Sequence, residues 1–166
     1  RRLVRSAQLW PVHPEKVLAC RRDFPALQPE LATAATAAVL EACRWLDADP
    51  ANREQAARWL AAPEAIGLPV ARLAAGLLPP EDVPPAQLLQ FHAGGAANLP
   101  RIDNGRWFLQ QFRRWRWLPP ATPGDEHDAW LAGVYLQDGY RRAAERLGIP
   151  VLDGAAASLA TEHDRG

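Results

Sequence analysis

The chain has 166 residues, 48% of them hydrophobic, enough to bury the core of one domain or of a large piece of one, which excludes a disordered polymer. Nineteen basic residues balance nineteen acidic ones, so no bulk charge directs the chain to nucleic acid or to a membrane surface. No apolar run reaches the roughly 18 residues of a membrane helix, and the Arg-rich start lacks the apolar stretch of a signal peptide.

In chain order, residues 2–9 read as a strand that enters a loop at Trp10-Pro11-Val12-His13-Pro14, where two prolines exclude regular structure. The short apolar run 17–20 has the length of a buried strand. From Pro29 to Asp47 the positions Leu31, Ala34, Ala35, Ala38, Ala42, Trp45 and Leu46 recur at helical spacing, with Pro29 and Glu30 suited to a first turn. Asp49-Pro50 is an N-cap and first-turn pair that opens a second helix through about Ala62, burying Ala56, Trp59 and Leu60. A third helix over 70–78 lies between Pro69 and Pro79-Pro80.

The run 87–91 reads as a strand and 92–98, with adjacent glycines, as a flexible loop. Asn104 is expected to cap a helix to about Trp117, whose apolar stripe is Phe108, Phe112 and Trp115. The cluster Glu126-His127-Asp128 reads as a solvated loop. A turn at 137–139 leads to a last helix over 140–147, stopped by Gly148 in a left-handed cap. Residues 1–152 are taken as one domain portion and 153–166 as a frayed tail. Cys20 and Cys43 form no metal or disulfide pattern and read as buried thiols.

Three stretches, 9–18 (Leu-Trp-Pro-Val-His-Pro-Glu-Lys-Val-Leu), 43–53 (Cys-Arg-Trp-Leu-Asp-Ala-Asp-Pro-Ala-Asn-Arg) and 98–115 (Asn-Leu-Pro-Arg through Trp-Phe-Leu-Gln-Gln-Phe-Arg-Arg-Trp), occur in order with a closing 140–150 segment. Together they resemble the NrtA/CmpA/NasS family of nitrate- and bicarbonate-binding ABC-importer components and cytoplasmic nitrate sensors. The resemblance implies an α/β, helix-rich chain that is the C-terminal part of a two-lobed type II periplasmic-binding fold, with the first lobe largely missing. A start at Arg with no Met anywhere fits that expectation of a fragment. The implied partners are a small inorganic anion and either an ABC permease or a regulatory antiterminator protein.

A small oxyanion needs positive charge, convergent donors and an aromatic wall. Lys16 is the first candidate: it is the only Lys among nineteen basic residues, and it aligns with the lysine of the family's Pro-Glu-Lys motif. Trp10 is a candidate wall and Arg101 a further cation. The stretch 101–105 departs from the family pattern, and Asp103 would repel an anion unless it turns outward or pairs with Arg101 or Arg106. No nucleophile with a base, Gly-rich phosphate loop, zinc spacing or cofactor motif is present, so the chain reads as a binding protein and not an enzyme. The compartment follows the role, cytoplasmic for a sensor and periplasmic or lipid-anchored for an import component. The lack of a Cys pair and the 10–16 region lean toward the sensor. Two alternatives stand beside this reading: a truncated helical interaction module without ligand, and nucleic-acid binding through 112–117.

Overall fold

The computed structural model describes residues 16–79, 89–120 and 127–151, and every regular element among them is helical. The helices are α1 (Phe24–Leu27), α2 (Pro29–Ala48), α3 (Pro50–Leu60), α4 (Val70–Leu77), α5 (Ile102–Arg114), α6 (His127–Val134) and α7 (Gln137–Arg146), with a 3-10 turn at Ala93–Gly95. The helix-rich part of the expectation holds, and among the described residues the strands expected at 17–20 and over the end of 87–91 do not form. Residues 17–20 form an irregular segment with Val17 80% and Leu18 62% exposed, because four apolar residues without a partner strand gain no ladder. Residues 89–91 are likewise irregular. The expected strand at 2–9, the loop at 10–14 and the tail beyond 152 lie outside the described residues, as do 87 and 88.

Local chemistry fixed most of the helix boundaries. Pro29 begins α2 and Glu30 occupies its first turn. Asp49 ends α2 in an extended conformation, as a residue before proline must, and its side chain accepts the Ala51 N–H at 2.8 Å to cap α3. Leu78 is extended before Pro79 and ends α4. Gly148, at φ 62°, closes α7: its N–H donates to Glu145 O and the Ile149 N–H donates back to Ala144 O.

The same six-residue closure ends α5, but with an arginine in the glycine position. Arg116 sits at φ 61°, its N–H donating to Arg113 O and the Trp117 N–H to Phe112 O. A non-glycine residue there costs about 1 kcal/mol. Trp117 folds back on Phe112, ring centroids 5.5 Å apart, so the apolar contact of this cap is a stacked pair.

Two N-terminal expectations shift. α5 starts at Ile102, so Asn104 is inside the helix and does not cap it. α7 starts at Gln137, three residues before the expected Tyr140. The supposed polar loop at 127–128 is the first turn of α6, where Asp128 suits the positive end of the helix.

The core lies where α2 crosses α7. Leu40, Tyr140, Ala143, Ala144 and Ile149 are buried there, with Ala37, Leu99, Leu147 and Val151 against them. The two fully buried alanines let the helices approach closely. α2 therefore presents a different face from the expected stripe: Thr33, Ala37 and Leu40 turn inward, while Leu31, Ala34, Ala35, Ala38 and Ala42 are exposed. Thr33 is buried because its hydroxyl donates to Pro29 O at 2.9 Å within its own helix, which a count of apolar residues misses. On α3 it is Ala57 that is fully buried; Trp59 is exposed at its rim, stacked on Trp45 at 5.3 Å. Trp115 is 52% exposed and not part of a buried stripe. Cys20 is also exposed and Cys43 half-buried, against the expectation of two buried thiols.

α5 and α6 pack as a second pair. Their crossing point is Gly105, where a Cβ would lie 2.5 Å from Leu131 Cδ2 and 2.7 Å from Tyr135 Cε2.

Candidate functional site

The loop 92–98, expected to be flexible, is tied down at several points together with the residues just before it. The Asp47 carboxylate at the end of α2 accepts three successive backbone N–H groups, from Phe91 at 3.0 Å, His92 at 2.7 Å and Ala93 at 3.1 Å. Arg53 of α3 completes the clamp with a 2.6 Å ion pair to Asp47, donates to the carbonyls of Leu46, Leu77 and Leu89, and lies 5.1 Å from the centre of the Phe91 ring. Burial works to raise the Asp47 pKa, but the three N–H donors and Arg53 outweigh it and hold the carboxyl below its ordinary range.

Asn98 closes the loop from the other side. Its amide donates to Phe91 O at 3.0 Å, and its Oδ1 lies 2.9 Å from Nδ1 of the buried His92. Asn98 also faces Cys43, whose thiol is pushed up by burial. Tyr140 donates its hydroxyl to Gly95 O at 3.0 Å, and Gly95, at φ 98°, has no room for a Cβ, which would sit 2.9 Å from that hydroxyl. Asp47, Arg53 and Asn98 are thus engaged in holding one loop, while Asn52 ties α3 to α2 through a 2.7 Å bond to Trp45 O.

Arg101 stands at the end of this loop as the N-cap residue of α5, half-buried, behind Pro100, whose carbonyl accepts from Gln137 at 2.9 Å. Its charge reaches Tyr140: burial raises that phenol's pKa and Arg101 partly opposes the rise. Lys16 is exposed in the irregular segment before α1. Trp10 lies outside the described residues, so the three candidates are not displayed as one cluster.

Asp103 pairs with Arg106, one of the two partners expected for it. Arg106 also bridges to Asp128 of α6 at 2.8 and 2.5 Å, and this pairing holds the Asp128 carboxyl below its ordinary range. Beside it Arg113 touches Nε2 of His127, and Arg113 Nε is buried without a hydrogen-bond partner among the described residues. Arg106, Gln110, Arg113, His127 and Asp128 line an open cleft of about 460 Å³. The groups there are arranged for charge pairing, and no nucleophile stands beside a base. Among the described residues no group of three or more His, Cys, Asp or Glu could hold a metal ion. Sequence reading missed the Asp47 clamp, whose partners are 44 to 46 residues away, and the α5–α6 pairing, for which an acid following a possible helix start at His127 was the available signal.

Residues 1–61 match the model of the NMT1-like family. The chain is 29% identical over 152 residues to the nitrate/nitrite binding protein NrtA of Synechocystis sp., an alignment covering 87% of this chain and 33% of that protein. It is 30% identical over 159 residues to the bicarbonate-binding protein CmpA of Synechococcus elongatus, covering 89% and 35%. A third relative, the nitrate import ATP-binding protein NrtC of Synechocystis sp., is 30% identical over 155 residues, covering 88% of this chain and 22% of that protein. The chain therefore spans about a third or less of the length of these curated relatives. No solved structure matches it.

Proposed function

The chain is related by sequence to the nitrate- and bicarbonate-binding proteins, and on that premise we propose that the whole protein binds a small oxyanion, nitrate first and nitrite or bicarbonate next. The observation that carries this reading is the extent of the kinship, which runs over nearly the whole chain and is shared by nitrate/nitrite- and bicarbonate-binding relatives. In this proposal two lobes of a type II periplasmic-binding fold close over the anion by a hinge, and no bond is made or broken. Lys16 supplies a compact positive charge, Trp10 a wall and Arg101 a second cation. The segment 89–101 is a rigid support at whose end Arg101 is held, so a ligand meeting it incurs little ordering cost there.

The import and transport names of the ATP-binding relatives favour a component of an ABC importer, with a permease as partner, over a sensor that trades an antiterminator protein for the anion. The test is calorimetric titration of the full-length protein with nitrate, beside Lys16→Ala and Arg101→Gln, with nitrite and bicarbonate as competitors. Loss of one charge-assisted contact should weaken binding about tenfold or more. Equal binding by wild type and both variants would remove these residues from the site. If none of the three anions binds the wild type, the anion-binding reading fails and the helical interaction module replaces it.

A further inference from the structure

We propose that the C-terminal end of α5, residues 114–118, is a docking surface for an anionic lipid bilayer. Residues 114–120 are all exposed, and they bring together Trp117 at 70%, Trp115 at 52% and the exposed Leu118 with the exposed Arg114 and Arg116. No Asp or Glu occurs from 109 to 120, so nothing within the segment neutralises these cations. Charge complementarity calls for an anionic partner, and indole rings beside arginines are the composition that sits at lipid headgroup level.

The backbone supplies an independent reason. The left-handed position that closes α7 holds Gly148, whereas the equivalent position that closes α5 holds Arg116. The cap needs no side chain there, so a strained arginine points to a use for its charge. The cap also presents the rings already ordered, Trp117 against Phe112 and edge-on to Trp115 at 5.2 Å.

Single-stranded nucleic acid, the other anionic partner, fits less well. Bases stack on open ring faces along a charged groove. Here one face of Trp117 is covered by Phe112, and no charged groove is formed by 114–118 themselves, which are an exposed helix end.

The test is co-sedimentation of the full-length protein with vesicles of phosphatidylcholine, with and without phosphatidylglycerol, at low and raised salt. The wild type should sediment only with phosphatidylglycerol vesicles and be released by salt. Arg114→Gln and Arg116→Gly should each weaken partitioning about fivefold. Arg116→Gly should do so while keeping or raising Tm, since glycine relieves the strained backbone, and this separates lost docking from lost folding. Three outcomes overturn the proposal: no sedimentation of the wild type with phosphatidylglycerol vesicles, sedimentation unchanged in a variant that combines Arg114→Gln with Arg116→Gly, or retardation of single-stranded RNA without vesicle binding. Protection of Trp115 and Trp117 from acrylamide quenching in the vesicle-free full-length protein would also overturn it, since the surface would then be covered by the protein's own chain.

Discussion

Asp47 shows how much one carboxylate can hold. Only about a fifth of its side chain is exposed, and it carries three backbone donors and an arginine. Replacing it by Asn keeps the shape but sets an NH2 against donors and leaves Arg53 uncompensated, which should cost about 3 kcal/mol in chemical denaturation. The sign with pH follows from its lowered pKa. The stabilisation is complete above the ordinary carboxyl value of 3.8 and is lost as pH falls through the lower value of the folded protein. Urea midpoints measured down that range should fall more steeply for the wild type than for Asp47→Asn, and parallel curves would contradict the clamp. Nothing in the sequence around Asp47 announces this role, because its partners are remote. Two residues later Asp49 is legible as a cap, since its partner Ala51 is local.

Among elements, the α5–α6 crossing is set by a missing side chain. Gly105→Ala would drive a methyl into Leu131 and Tyr135, and the required shift should lower stability by about 1–3 kcal/mol, read as a drop in Tm. Gly133, on α6, is the internal control, since a Cβ there meets nothing within 4 Å. Gly133→Ala should leave stability unchanged or raise it by up to about 1 kcal/mol. If both substitutions behave alike, the crossing is not limited by Gly105. Helix ends were legible wherever Pro, Asp or Gly marks them, as at Pro29, Asp49 and Gly148. Helix faces were less so: Thr33 hides its hydroxyl within its own turn, and the exposed Ala34, Ala35 and Ala38 have no apolar content strong enough to decide a side. The start of α6 was missed because Glu126-His127-Asp128 carries no apolar period of its own.

For the molecule as a whole, the kinship was legible and the site was not. The stretches 43–53 and 98–115 carry the resemblance, yet in the described residues Asp47, Arg53 and Asn98 serve architecture, tying α2 and α3 to a loop 36 to 46 residues onward, and Asn52 ties α3 to α2. A stretch that carries a resemblance can therefore serve the scaffold as readily as a ligand contact. That junction has a consequence in time. The amide hydrogens of Phe91, His92 and Ala93 belong to no helix ladder, so their exchange with solvent deuterium is gated by release of a carboxylate at the far end of α2. In native-state exchange they should be as slow as the amides of α2, and in Asp47→Asn they should exchange fast while α2 stays slow. Three loop amides thus act as a clock for the moment when the first and second parts of the chain come apart.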